Sequence, residues 1–289
     1  MKVWRTVLAM TARAQTKTKP EVKAETLQSL RLKIDALDTE LLRLIDERSA
    51  LARDIAAAKL REGVTGQSVS LLRPDREALL LRKLIDAPRK AASDAAIIAI
   101  WRELISESLR IQGEDQGGLH LNFWAGDKPA EIFQWARERF GAAPTQGPLA
   151  EPLHVIAAAR DPQNIGIISL ETRAGAWWAR LLAEPNVRVI CALPERNPDR
   201  PKAFAIAALT PEPTGDDVSY WVTDSRLSEP ALIEELGHRG LAAEWLYNVG
   251  GMKLFALSGF VQAHDARLDP ASGKVLGGLS GIIGTSARI

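Results

Sequence analysis

The sequence predicts a multidomain protein: an N-terminal all-α unit of three helices over 25–113, then a C-terminal α/β or α+β domain over 119–289. Three observations carry this. Residues 25–62 contain no Gly or Pro and repeat apolar side chains at helical spacing. A short joint, Gly113 to Gly118 (GEDQGG), separates two stretches of different character. Beyond it lie six of the eight tryptophans and a series of β-like runs alternating with helix-like ones.

Residues 1–24 are expected to be a disordered basic tail, with Lys2, Arg5, Arg13, Lys17, Lys19 and Lys23 against Glu21 alone. The apolar patch Val7 to Met10 is too short for the core of a signal peptide. In the first helix, Leu27, Leu30, Ile34, Leu37, Leu41, Leu44, Leu51 and Ile55 step alternately by three and four. Gly63 is a good stop, and Lys59 and Arg61 suit the negative end of the helix dipole. At ~1.5 Å per residue such a helix is roughly 55 Å long, more than a domain of this size can cover, so its seam calls for a partner chain. Pro74 opens a shorter helix that ends before Pro88, and Ser93 is the expected N-cap of a third helix closed by Gly113.

In the second half the β-like runs are HLNFWA, HVIAAA, NIGIISL, VRVICAL, KAFAIAAL, VSYWVT and MKLFALSGFV. The helix-like stretches are AEIFQWARERF, AWWARLL and EPALIEELGHRG. The glycine-rich Gly277 to Gly284 lacks the Lys-Ser/Thr of a phosphate loop and is expected to be a flexible turn.

Composition removes several function classes. Lys+Arg 37 against Asp+Glu 36 leaves a net charge of +1, without the basic excess of a nucleic-acid binder. One cysteine, Cys191, excludes an intrachain disulfide. With it, only four scattered histidines (His120, His154, His238, His264) are available, so no metal site is expected. No run approaches the ~18 apolar residues of a membrane span, and a cytoplasmic location is expected. Any chemistry must come from Arg, Lys, Glu, Ser and Gln.

Those residue types sit where apolar ones belong. The seam step after Leu44 lands on Arg48, while Arg31 and Lys59 lie on its shoulder. Arg76 and Glu77 precede Leu80 and Leu84 on the inward side of the second helix. The apolar face of the third helix, Ile97, Trp101, Leu104 and Ile105, continues through Ser108 and Gln112. Each has an ordinary reading: a snorkelling or register-setting Arg, a Ser bonded back to a carbonyl, first-turn charges in solvent. Together they suit a small dianion, with arginines for carboxylates and a lysine and an amide for an oxygen that gains charge.

These residues resemble the all-helical chorismate mutase domain found at the N-terminus of bacterial chorismate mutase–prephenate dehydratases. The likeness covers about 27–112 and runs without gaps through the first helix. The family's Arg, Arg and Lys of that helix fall on Arg31, Arg48 and Lys59; its Arg-Glu pair falls on Arg76 and Glu77, and its Ser and Gln fall on Ser108 and Gln112. An Asp common in the family before the Arg-Glu pair is here Arg73. The resemblance implies an intertwined homodimer that rearranges chorismate to prephenate without a cofactor. In it Arg48 and the partner's Arg31 bind the carboxylates, and Lys59 and Gln112 donate to the ether oxygen. Glu77 engages the hydroxyl, and Arg76 and Ser108 complete the pocket.

The C-terminal half loosely resembles a degenerate prephenate dehydratase followed by an ACT-like piece. VSYWVTDS, EPALIEELGHRG, AAEWLYNVGG and MKLFALSGFV form the expected strand–helix–strand–strand. Where the dehydratase family has Thr-Arg-Phe, this chain has Lys202-Ala203-Phe204, so a non-catalytic region is expected. A bifunctional mutase–dehydratase, an isochorismate pyruvate lyase and a non-enzymatic ligand-sensing or partner-binding helical dimer remain open alternatives.

Overall fold

The computed structural model describes residues 25–61, 71–268 and 276–289. The expected basic tail, 1–24, and Gly63 lie outside the described residues. The chain divides into two compact units, up to Asp46 and Glu47–Ile289, so the boundary falls within the first helix.

In the first unit, α1 (Leu27–Arg61) begins after Thr26, whose hydroxyl accepts from the Ser29 amide at 3.2 Å. All eight seam residues of α1, from Leu27 to Ile55, are between 44% and 64% exposed in the single chain. The helix is thus regular in pattern and uncovered along its apolar stripe.

In the second unit, α2 (Pro74–Ile85) starts on Pro74, whose fixed φ suits the first helical turn. The Ser93 hydroxyl caps α3 (Asp94–Gln112), accepting from the Ala96 amide at 3.2 Å, and Gly113 closes it. Then follow β1 (His120–Trp124), α4 (Pro129–Phe140), β2 (Thr145–Pro148), α5 (Pro152–Ala158) and β3 (Asn164–Ser169). After a 3-10 turn at Trp177–Ala183 come β4 (Val187–Leu193), β5 (Ala203–Ala208) and β6 (Asp217–Thr223). The chain finishes with α6 (Glu229–His238), β7 (Ala243–Val249), β8 (Met252–Ser258) and β9 (Ser280–Ala287).

The nine described strands form one mixed sheet in the order β2-β1-β3-β5-β4-β9-β6-β8-β7. β2, β1 and β3 run parallel, as do β4 and β9, and the other neighbours are antiparallel. Burial on both faces explains the nearly continuous apolar runs of β3, β4, β5 and β6. One face packs on α5 and the Trp177–Trp178 turn, and another cluster packs on α4 through Ile132, Ala136 and Phe140. No helix among the described residues is long and apolar enough to cross a membrane.

Three local expectations are corrected. HVIAAA is not a strand but most of α5, because Pro152 starts a helix and Val155, Ile156 and Ala159 recur at helical spacing against the core. AWWARLL is helical only as a 3-10 turn, with Trp177 and Trp178 both buried. Gly277 to Gly284 is not simply a turn, since from Ser280 it enters the sheet as β9 between β4 and β6. The strand–helix–strand–strand read for 217–258 is present as β6, α6, β7 and β8.

Candidate functional site

Arg48 of α1 is half-buried, and its side chain reaches α3. Its Nη1 donates to the Leu104 carbonyl at 2.7 Å and to Ser108 Oγ at 2.5 Å. Ser108 Oγ in turn donates to the Leu104 carbonyl at 2.8 Å, so the back-bonded hydroxyl keeps its lone pairs turned to the guanidinium. Partial burial lowers the Arg48 pKa, and no carboxylate among the described residues pairs with it. Among the described residues its bonds run to neutral oxygens, a setting in which an added anion would be favourable. Gln112 is half-buried one turn beyond Ser108 on the same face of α3.

Arg76 is exposed. Glu77 is buried on the side of α2 facing the sheet, and its Oε2 accepts from Nη1 of Arg102 and from Nη1 of Arg139, both at 2.7 Å. The structure therefore brings Arg48 and Ser108 together but places Glu77 in a separate charged cluster. Arg31 is exposed on the first unit. Lys59 lies in the last turn of α1, and its side chain is outside the described residues. Arg73, standing where the resemblance leads one to look for Asp, is paired with Asp75 at 2.9 Å.

The cluster around Glu77 is absent from the sequence reading. Glu195 lies against Nη2 of Arg102 and 3.0 Å from Nε of Arg139. Burial opposes the Arg139 charge, but Glu77 and Glu195 outweigh it and its pKa is raised. Cys191, buried beside them, is pushed up to about 12 by burial and then by the Glu195 charge. The signal was available: Arg139 falls on the α4 stripe of Ile132, Ala136 and Phe140, as Arg48 does on that of α1.

A cavity of about 750 Å³ opens beyond the carboxyl ends of β1 and β3, with Lys202, Asn197, Ser169 and Tyr247 on its wall. Lys202 thus occupies a concave surface, but as an ammonium it offers no hydroxyl.

The fold and the site thus show a helical segment whose Arg48 pairs with no carboxylate among the described residues, joined to a mixed-sheet domain in a multidomain chain. Residues 30–113 match the family described as chorismate mutase type II. The chain is 34% identical over 86 residues to the "bifunctional chorismate mutase/prephenate dehydratase" of Pseudomonas aeruginosa (strain PAO1), covering 30% of this chain and 24% of that protein. It is 29% identical over 121 residues to the protein of the same description from Aquifex aeolicus (strain VF5), covering 40% and 31%. The chain thus spans about a quarter to a third of the length of these relatives. Among solved structures, "GqqA- a novel type of quorum quenching acylases" overlaps 58% of this chain and 95% of its own at 15% identity. Its TM-score of 0.36 is too low to carry an argument.

Proposed function

We propose that the chain is a chorismate mutase of aromatic amino-acid biosynthesis, acting as a homodimer, with a non-catalytic C-terminal region. The observation that carries this is Arg48, half-buried against Ser108 with no carboxylate on it among the described residues, inside the segment that matches the family. The rearrangement of chorismate to prephenate is intramolecular. The protein need only hold the compact conformer and stabilise an ether oxygen that gains negative charge, with no nucleophile and no cofactor.

In this reading Arg48 and Arg31 of the second copy take the two carboxylates, and Lys59 and Gln112 donate to the ether oxygen. Ser108 orients Arg48, and Arg76 completes the rim. Glu77, whose Oε2 also accepts from Arg102 and Arg139, engages the substrate hydroxyl. The bifunctional alternative gains no support from Lys202, which cannot replace a threonine hydroxyl.

The test is chorismate turnover by the full chain with identification of the product. Prephenate is expected. Arg48→Ala and Lys59→Ala should each lower kcat by ~10²–10³, the usual loss for one donor to a developing oxyanion. Arg43→Ala should keep the rate, since Arg43 is exposed and bonded to Glu40. Unchanged chorismate, pyruvate among the products, or equal rates in all three variants would refute the reading; phenylpyruvate formed from prephenate would establish the bifunctional one.

A further inference from the structure

The sheet of the second unit forms a crevice that the chemistry above does not use. In the order β2-β1-β3 all three strands are parallel. On β3, Ile167 and Ile168 point to opposite faces, one into the cluster that holds α4 and the other into the cluster that holds Trp177 and Trp178. The chain leaving β1 therefore turns to one face, through Asp127 and Lys128 into α4, and the chain leaving β3 turns to the other. Where neighbouring parallel strands send their connections to opposite faces, a crevice opens beyond their carboxyl ends, and small ligands bind there in open sheets. The cavity of about 750 Å³ lies at that place.

Its wall carries both charge and apolar surface. The acids on it are satisfied: Asp127 and Glu171 by Arg173, at 2.6 and 3.1 Å, and Glu131 by Lys128 at 3.2 Å. Arg200, on the same wall, is matched by Glu244 at 3.1 Å. Lys202 is exposed, and no carboxylate among the described residues pairs with its ammonium. Its main chain is held in place, the amide donating to the Leu193 carbonyl at 2.8 Å and the carbonyl accepting from the Leu170 amide at 2.9 Å. The side chain thus springs from a fixed point beside the carboxyl ends of β3 and β4. Leu170 is buried and Trp135 and Pro194 are half-buried on this wall, and Asn197 adds a side-chain amide.

We propose that this cavity is a binding site for a small carboxylic acid with an apolar body. Lys202 takes the carboxylate, Asn197 donates its amide to the same group, and the apolar body lies against Trp135, Leu170 and Pro194. One ammonium on a flexible stem matches one carboxylate, and a concave wall strengthens that attraction by keeping water from part of the pair. The apolar wall in turn selects a body that water holds poorly. The proposal is one of binding alone and does not rest on the mutase reading; it gives the sheet domain a ligand of its own.

The probe is phenylacetate, titrated against the full chain and read by saturation-transfer NMR, with phenylacetamide as its uncharged counterpart. The acid should bind, and the amide should bind ~10–10²-fold more weakly, the scale of one hydrogen bond to a charged group. Lys202→Gln should weaken the acid by the same factor and leave the amide unchanged. Lys202 is exposed, so this variant should keep the circular dichroism of the wild type. Arg48→Ala should leave the affinity for the acid unchanged, which separates this cavity from the arginine of α1. A wild-type chain that binds neither probe, or both equally, overturns the inference. So does binding of the acid that survives in Lys202→Gln or is lost in Arg48→Ala. Chorismate turnover decides the mutase reading separately, and its absence would leave these outcomes untouched.

Discussion

An arginine on an apolar stripe meets two different fates in this molecule. Arg48 is bonded by a carbonyl and a hydroxyl, while Arg102 and Arg139 are closed off by Glu77 and Glu195. The stripe position is legible in sequence for Arg48 and Arg139, but the partners are not, because Glu195 stands far along the chain from the helices it neutralises. That is why the arginine partners of Glu77 cannot be read from its sequence neighbours alone. The two tyrosines make a residue-scale test of the sheet domain. Tyr220 is fully buried and donates to the Pro198 carbonyl at 2.7 Å, and burial raises its pKa well above the usual phenol value. Tyr247, half-buried and donating to Pro201, is raised by the same cause. An unfolded phenol ionises near ~10, so above that pH the unfolded chain binds fewer protons than the folded one. The phenols' contribution to stability is fully present below ~10 and is lost as the pH climbs through the raised folded values. Phenolate absorbance should rise together with loss of circular dichroism; phenols that titrate near ~10 in a folded chain would contradict their burial.

At the scale of elements, those whose spacing and end signals agree are the legible ones. α3 shows its cap, its stripe and its terminal glycine in one stretch, and β3 to β6 show the apolar runs of doubly covered strands. α5 and β9 are not legible in this way, because their local signals conflict with their tertiary setting. HVIAAA has strand-forming residues at its start, yet Pro152 and the buried Val155–Ile156–Ala159 face decide for helix. β9 is rich in glycine, which favours a turn by entropy, but its glycine is a packing requirement. Gly284 adopts φ +145° and lies so close to β4 that a Cβ would stand 2.2 Å from the Val189 carbonyl oxygen. Its neighbour there is backbone, which cannot rotate away. Gly284→Ala should therefore destabilise the chain by about 3 kcal/mol, through strain and forced separation of β4 from β9. A urea titration reads this as a lower midpoint at constant slope, and an unchanged midpoint would show that β9 does not pair as described.

For the whole molecule, the large uncompensated term is the apolar seam of α1. Its eight residues remain 44% to 64% exposed in one chain, although the sequence spaces them as for a buried interface. Covering a Leu or Ile is worth ~1.5–3 kcal/mol when exposure is complete, so the half-exposed seam forgoes on the order of 10 kcal/mol. A second copy offers the matching surface, since a two-fold interface pairs a stripe with itself. Arg31 stands among these residues, one position from Leu30, so the same contact would carry its charge to the other copy. Sedimentation equilibrium at micromolar concentration should give the mass of a dimer. Leu37→Glu combined with Leu41→Glu puts like charges into the seam and should give monomers, with turnover falling to the level of Arg31→Ala because the same guanidinium is withdrawn. A wild-type monomer with full turnover would separate Arg31 from the reaction and leave the seam without its partner; a monomeric double variant with undiminished turnover would show that each chain completes its own site.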